Sequence, residues 1–341
     1  MMIYGNAFDL LKLVLSFFVV AIHVNPFGSK LWYLRYPLAR IAVPLFFMMS
    51  SYFFFRKIKT QDTKSQLNSL MIFVKRNLIL YISWFIIWFP VTYQYYKYDK
   101  LSKIDMIKNI MSRFVFSSTF KASWYLMGLV VGIIIIYFLT KIFNNKVGLL
   151  VGFVSYSICA MVSNYAVFFE NVSIVQTIKD LYPFAMYYGF PVGLLFINMG
   201  KVLAEKKELH ADKMTYVKLF ISTILLFVET YLVIKYEWYS ETPCYMMLIP
   251  FCWYFFIVVS NMKIKIPYGK EIRVVSTVIY CFHFSFKMII DDYLVALGWE
   301  LSALPYSMYL YLIVIFASIL VGLIIYKLSQ KKYLSLLKNL Y

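Results

Sequence analysis

Residues 7–24 read AFDLLKLVLSFFVVAIHV, an apolar segment that is long enough to cross a membrane as a helix. Asp9, Lys12 and His23 interrupt its apolar character. An ionisable group at membrane depth costs free energy, so such a group usually faces the inside of a helical bundle and serves a function. The segment lacks a small-residue cleavage site, so we expect it to stay in place as a membrane helix and not to act as a signal peptide.

The composition extends this interpretation to the whole chain. Of its 341 residues, 62% are hydrophobic, and the mean hydropathy is +0.72. Charged residues make up 15%, against about 25% in a soluble domain. We therefore predict an all-α polytopic membrane bundle that forms a single domain over residues 1–341. Ten segments are candidate spanning helices: 7–24, 40–56, 71–92, 124–142, 147–165, 182–203, 216–234, 244–260, 274–290 and 305–326.

The net charge of +18 comes from 34 Lys and Arg against 16 Asp and Glu. Most of these cations lie in short alternate loops, which indicates the positive-inside rule and contact with anionic lipid, and argues against a nucleic-acid-binding domain. The pattern places both termini in the cytoplasm. Residues 93–123 depart from this charge pattern, because the pattern predicts an external loop there and the loop carries six cations. Its run Ile104–Met111 has helical amphipathic spacing and predicts a helix at the membrane interface.

The first predicted helix carries a polar stripe. Lys12 and His23 are eleven residues apart, which returns to nearly the same helix face about 16 Å further along the axis. Ser16 lies between them on that face, and Asp9 is one turn before Lys12. Two ordinary alternatives stay open. Lys12 could extend to the lipid headgroups, and His23 could be an interfacial side chain bonded to a carbonyl.

The segment 274–290 repeats this arrangement. His283, Lys287 and Asp291 follow one another at spacings of four, again on one helix face. Histidine is the side chain best suited to proton transfer near neutral pH. The stripe therefore indicates either an inward-facing functional surface or a Lys–Asp pair at the interface beside a structural histidine.

Four sequence blocks together resemble the membrane acyltransferase-3 family. They follow the family order, and each is weak alone. Lys12 stands where the family usually has Arg, and Ser51 replaces a usual Gly, which would weaken close helix packing there. The blocks are Asp9-x-x-Lys12 with His23, Val43-Pro44-Leu45-Phe46-Phe47-Met48-Met49-Ser50-Ser51-Tyr52, Trp124-Tyr125-Leu126, and Ser276-x-x-x-Tyr280-x-x-His283.

The resemblance is nearest to a Gram-positive-type branch that includes the membrane domains of serine/alanine racemases. No racemase domain is visible in the sequence, so the resemblance does not imply racemase activity. The family implies ten helices in a bacterial cell membrane. It also implies transfer of an acyl group, usually acetyl, from cytoplasmic acyl-CoA to a hydroxyl of a cell-surface polysaccharide or lipid-linked glycan. No metal is implied, and the chain could form a homo-oligomer.

The same resemblance suggests roles for residues. His23 would remove the acceptor proton or briefly carry the acyl group, with His283 assisting. Lys12 or Arg40 would stabilise developing negative charge, and Asp9 would set the polar entrance. The residues expected to bind the CoA phosphates are Arg56, Lys57, Lys75 and Arg76, unless they only obey the charge rule. The residues expected to contact the substrates are Trp124, Tyr280 and Lys287.

Two other classes of function stay open. In a transporter or flippase, the polar stripes would line a path for a small solute or a lipid-linked sugar. The chain could also be a non-catalytic membrane subunit. A requirement for acyl-CoA separates the enzyme from both alternatives.

Overall fold

The computed structural model of the chain describes residues 3–26, 31–98, 102–182, 184–241, 243–298 and 304–341. The regular structure within these ranges is helical throughout, which confirms the predicted all-α bundle. Fourteen α-helices are described: α1 Ile3–Val24, α2 Trp32–Arg40, α3 Ala42–Ile58, α4 Thr63–Tyr98, α5 Lys103–Phe116, α6 Trp124–Ile142, α7 Asn145–Met161, α8 Ala166–Phe169, α9 Ser173–Leu181, α10 Phe190–Glu205, α11 Lys213–Lys235, α12 Leu248–Ser260, α13 Gly269–Ala296 and α14 Leu304–Ser329.

Seven helical stretches in the described part are long and apolar enough to cross a membrane. Together with the family described below, they establish a multi-pass membrane protein. The stretches are Asn6–Val24, Trp32–Ile58, Thr63–Gln94, Trp124–Ile142, Lys213–Lys235, Gly269–Ala296 and Ser307–Ser329. The other three predicted segments contain the shorter helices α7, α10 and α12. A total of ten spans and cytoplasmic termini therefore stay predictions.

The predicted segment 182–203 differs most from the structure. Pro183 lies outside the described residues, and a short 3-10 helix occupies Met186–Tyr188. Helix α10 begins only at Phe190, after an extended Gly189 and with Pro191 in its first turn. Proline suits the first helical turn because that position needs no amide donor. A uniform apolar pattern therefore overestimated the length of this helix.

Helices α3 and α10 approach each other closely. A Cβ atom on Gly193 would lie 2.9 Å from the ring of Phe47, and one on Gly200 would clash with the carbonyl oxygen of Met48. The hydroxyl of Ser51 donates a hydrogen bond of 2.5 Å to the carbonyl oxygen of Ile197. The expected weakening of packing at Ser51 is therefore wrong, because the glycines of α10 allow the approach and the serine bonds across it.

Helix α1 lies against α13. Val20 and Val24 of α1 share a buried apolar cluster with Val275 and Ile279 of α13 and with residues of α14. Burial of these side chains stabilises the contact between α1 and α13 through many small dispersion interactions. The packing sets the register of the two helices, so the polar stripes predicted on α1 and α13 meet at His23 and His283.

The loop 93–123 contains the expected amphipathic helix. Helix α5 begins after Ser102, whose hydroxyl accepts a hydrogen bond of 3.2 Å from the amide of Asp105 and so caps the helix. Its apolar side chains Ile104, Ile107 and Met111 are exposed. This surface fits a membrane interface, which stays a prediction. Lys100 of the same loop lies outside the described residues.

Candidate active site

Two cavities lie along α1, one at its C-terminal end and one near its middle. The His23 cavity has a volume of about 960 Å³ and takes its name from the histidine in its wall. Its polar lining comes from α1, α2, α4, α5, the segment before α6 with the start of α6, the 3-10 helix before α10, the segment after α11, and α13. The ionisable and aromatic residues of this lining are His23, Arg40, Arg113, Lys121, Trp124, Tyr188, Glu241, Tyr280 and Phe284.

The Lys12 cavity is smaller, with a volume of about 430 Å³. Three cations line it: Lys12 of α1, Lys57 of α3 and Arg76 of α4. The Lys12 ammonium lies 5.5 Å from the ring centroid of Phe53, within the range of a cation–π contact. This combination of cations with apolar walls can accommodate an anionic group joined to a less polar chain.

Two tyrosines separate the cavities. Tyr280 lines both of them, and its ring centroid lies 5.5 Å from that of Tyr125 in the wall of the Lys12 cavity. The Tyr280 hydroxyl donates a 2.6 Å hydrogen bond to the carbonyl of Ala122, and the Tyr125 hydroxyl lies 2.9 Å from that of Ser50. Both rings are thus held at their tips, and together they form a narrow boundary between the two spaces.

His23 and His283 pack against each other, with ring centroids 5.4 Å apart and ring planes 33° apart. The Nδ1 atom of His283 lies 2.9 Å from the carbonyl oxygens of Ile279 and Tyr280. Because carbonyl oxygens only accept, we assign the proton of a neutral His283 to Nδ1, and Nε2 then carries the lone pair. This Nε2 is buried without a hydrogen-bond partner among the described residues.

The predicted catalytic residues thus separate into groups. His23, His283 and Arg40 gather at the His23 cavity, whereas Lys12 lies at the other cavity. Asp9 is buried beside Lys12, and its carboxylate accepts a hydrogen bond of 2.9 Å from Arg273 of α13. This ion pair joins α1 to α13 near the Lys12 end of the bundle.

The predicted substrate contacts are also divided. Trp124 and Tyr280 line the His23 cavity, while the ammonium of Lys287 forms an ion pair with Asp291 one turn along α13. That pairing is the ordinary alternative considered for the 274–290 stripe. A role of Lys287 toward a substrate stays a prediction.

The four cations expected to bind CoA phosphates are not all together. Lys57 and Arg76 line the Lys12 cavity, and Lys75 lines a neighbouring pocket that also includes Arg76. The guanidinium of Arg56 donates to the carbonyl oxygens of Ala204, Lys206 and Lys207 at 3.2, 2.6 and 3.2 Å. Arg56 therefore bonds the C-terminal end of α10, where carbonyl groups lack helical partners.

Sequence reasoning did not select three residues of the His23 cavity: Arg113, Lys121 and Glu241. A signal for the first two was present, because the loop 93–123 carries more cations than its predicted external position explains. Glu241 had no such signal, since a lone carboxylate between helices is ordinary surface chemistry. Among the described residues, no group of three His, Cys, Asp or Glu side chains could hold a metal ion.

The sequence matches a known family over almost its full length. The model of the acyltransferase-3 family, described as an acyltransferase domain, matches residues 6–327, so the chain belongs to this family. Membership supports a membrane acyltransferase.

Two curated relatives are both named amino-acid racemase, from Enterococcus faecalis. One is 23% identical over 270 residues, which cover 76% of this chain and 36% of the relative. The other is 21% identical over 293 residues, which cover 82% of this chain and 40% of the relative. The chain thus spans about two fifths or less of the length of these relatives. Their name agrees with the predicted branch of the family. No solved structure matches the chain.

Proposed function

We propose that the protein is a membrane O-acyltransferase that moves an acyl group, in the simplest case acetyl, from acyl-CoA to a hydroxyl of a cell-surface polysaccharide or lipid-linked glycan. The observation that carries the proposal is that His23, which packs against His283, lines a large cavity that shares Tyr280 with a second, cation-lined cavity. Each of the two substrates then has its own space, and the reacting groups meet at His23.

The Lys12 cavity suits the donor. CoA carries phosphates on a long flexible thioester arm, and Lys12, Lys57 and Arg76 supply three cations for those phosphates. The arm would pass Tyr125 and Tyr280 and bring the thioester carbonyl to His23. Holding the donor in this way replaces an encounter in solution by a fixed approach, which lowers the entropic part of the barrier.

His23 acts as the general base. The acceptor hydroxyl gives its proton to the His23 imidazole while the hydroxyl oxygen bonds to the thioester carbonyl carbon. The tetrahedral intermediate collapses when the carbon–sulfur bond breaks and the electron pair leaves on sulfur. His23 then returns the proton to the thiolate, so the products are the ester and CoA with a free thiol.

Two neighbours support this chemistry. The two rings pack 5.4 Å apart, so a small rotation of the His23 ring would let the lone pair on Nε2 of His283 accept a hydrogen bond from it and fix its orientation. Arg40 lines the same cavity and stabilises negative charge on the carbonyl oxygen. Lys12, about 16 Å along α1 from His23, serves the donor instead.

The names of the relatives do not favour racemisation here. The match covers 36% and 40% of the two racemases, a minor part of each, so their name is not transferred to this chain. Transport is the competing class, because two cavities on either side of Tyr280 along one polar helix also suit a solute path.

The test is acyl transfer by purified protein in nanodiscs. Wild-type protein should bind radiolabelled acetyl-CoA saturably and release CoA slowly, with water as the substitute acceptor. His23→Ala should bind acetyl-CoA equally well, but release CoA about 10²–10⁴-fold more slowly, as expected when a general base is lost. Added imidazole should restore part of the rate by entering the space left by the ring. If well-folded protein binds neither acetyl-CoA nor a longer acyl-CoA, the acyltransferase proposal is rejected and transport is favoured.

A further inference from the structure

We infer that the acceptor bound in the His23 cavity is an anion, with a phosphate or carboxylate group close to the hydroxyl that receives the acyl group. The inference rests on the proposed acyl transfer and adds the chemical class of the acceptor. It comes from the charges of the cavity wall.

The described wall of the His23 cavity carries more positive than negative charge. Arg40, Arg113 and Lys121 contribute three positive charges and Glu241 one negative charge, which leaves two positive charges with the histidines neutral. Charges interact more strongly between low-dielectric walls than in water, so the cavity concentrates anions. A neutral sugar would gain hydrogen bonds there but nothing from the net field.

The cations converge from separate parts of the chain. Arg40 ends α2, Arg113 lies in the last turn of α5, and Lys121 lies between α5 and α6. Arg113 is held in place, because its Nε donates a 2.6 Å hydrogen bond to Asn109 and its guanidinium lies 4.8 Å from the ring centroid of Phe184. A planar guanidinium fixed in this way matches the paired oxygens of a phosphate or carboxylate.

A second arginine extends the site beyond Arg40. A small cavity of about 70 Å³ is lined by Ile22, Arg35, Tyr36, Ala39 and Arg40, so two of its residues also line the His23 cavity. The Nε of Arg35 is buried without a hydrogen-bond partner among the described residues, and its guanidinium lies 4.4 Å from the Tyr36 ring centroid. An unused donor in a small wall pocket suits one oxygen of an acceptor anion.

Ordinary membrane-surface charge does not account for this arrangement. Lys108 of α5 shows what such a charge looks like, because its side chain is 75% exposed and lies 3.9 Å from the carboxylate of Asp105. Arg113, five residues later on the same helix, is in the cavity wall instead. Helix α5 therefore offers a matched pair of cations, one exposed and one in the site.

The experiment compares charged and neutral sugars. Full-length protein in nanodiscs of zwitterionic lipid is titrated with radiolabelled glucose 6-phosphate, glucuronate and glucose. Wild-type protein should bind both anions at least about tenfold more tightly than glucose, the scale expected for added charge-assisted hydrogen bonds. Arg40→Gln, Arg113→Gln and Arg35→Gln should each remove most of that preference, while Lys108→Gln should leave it unchanged.

Three results would overturn the inference. Glucose could bind as tightly as the two anions, or none of the three could bind. Lys108→Gln could also reduce the preference as much as Arg113→Gln does, which would indicate a general surface field. A repeat in discs that contain phosphatidylglycerol identifies the source of the anion. If that lipid displaces glucose 6-phosphate through the same arginines, the site serves a lipid headgroup and the acceptor assignment fails.

Release of CoA from acetyl-CoA is measured on the same samples, so the two proposals fail separately. A preference for anions without CoA release that depends on His23 would reject acyl transfer and leave an anion-binding cavity. CoA release without that preference would keep the acyltransferase and reject the anionic acceptor.

Discussion

The two cavities along α1 differ in the kind of charge they hold. The Lys12 cavity is lined by three cations and apolar rings, whereas the His23 cavity is lined by the imidazole that packs against His283, by cations and by a carboxylate. Fixed cations bind phosphate well but transfer no proton at neutral pH, and neutral imidazoles do the opposite. This difference indicates that the site of donor binding and the site of proton transfer are separated along α1, with Tyr125 and Tyr280 between the two cavities.

Removal of the lone pair on Nε2 of His283 should impair proton transfer at the His23 cavity and leave the Lys12 cavity unchanged. His283→Asn keeps an amide donor for the carbonyl groups of Ile279 and Tyr280 but loses Nε2. We expect kcat to fall about 10- to 100-fold, because His23 loses the partner that orients it, as metal-ligand histidines do without theirs. Turnover of acetyl-CoA measures kcat, and equilibrium binding measures the donor affinity.

The affinity for acetyl-CoA and the melting temperature of His283→Asn should match wild type. A rate within twofold of wild type would show that His283 packs against His23 without supporting its chemistry.

Much of this arrangement can be predicted from the sequence, for specific reasons. Helices α1 and α13 follow from long apolar runs, and their polar stripes follow from helical periodicity. That His23 meets His283 came from the family blocks and not from spacing, because residues 260 positions apart meet only through tertiary packing.

The parts that the sequence did not predict depend on distant partners. Arg56 lies in a cation-rich segment that fits the positive-inside rule, yet its hydrogen-bond partners are carbonyl groups about 150 residues later in the chain. Arg113 lines the cavity because α5 packs against α6, a contact that the spacing of residues in the loop does not reveal. The late start of α10 depends on Gly189 and Pro191, whose effect on a boundary is local but was outweighed by the apolar run.

Binding of the acyl donor at the Lys12 cavity can be tested by removing the cations that line it. Lys57→Gln and Arg76→Gln should each raise KM for acetyl-CoA about tenfold with little change in kcat, because a phosphate loses one charged partner. Steady-state kinetics over a range of acetyl-CoA concentrations separates the two constants. Neither change should alter the preference of the His23 cavity for charged sugars.

The opposite pattern, an unchanged KM with a lower kcat, would place the CoA phosphates elsewhere. A loss of charged-sugar binding in Lys57→Gln or Arg76→Gln would mean that the two cavities act as one.

The boundary between the cavities offers a smaller test. Tyr280→Phe removes the hydroxyl that donates to the carbonyl of Ala122, a contact typically worth about 1 kcal/mol. We expect the rate to fall about fivefold, because the ring and the chain before α6 lose their alignment. Tyr125→Phe is the matched variant, since its hydroxyl contacts Ser50 on the other side of the boundary. Equal KM values for acetyl-CoA in both variants and wild type would fit a boundary, whereas a higher KM would make the tyrosines part of the donor site.

The smallest kinetic effect is expected for Arg56, the cation that the structure separates from the donor cavity. Arg56→Gln should leave KM for acetyl-CoA within about twofold of wild type, because no donor phosphate loses a partner. It should lower the melting temperature instead, since three carbonyl groups at the end of α10 lose a charged donor. Arg76→Gln is the control, with the reverse result on both measurements. A tenfold rise in KM for Arg56→Gln would return Arg56 to the donor site, and the cations of α3 would then act together instead of being divided between structure and binding.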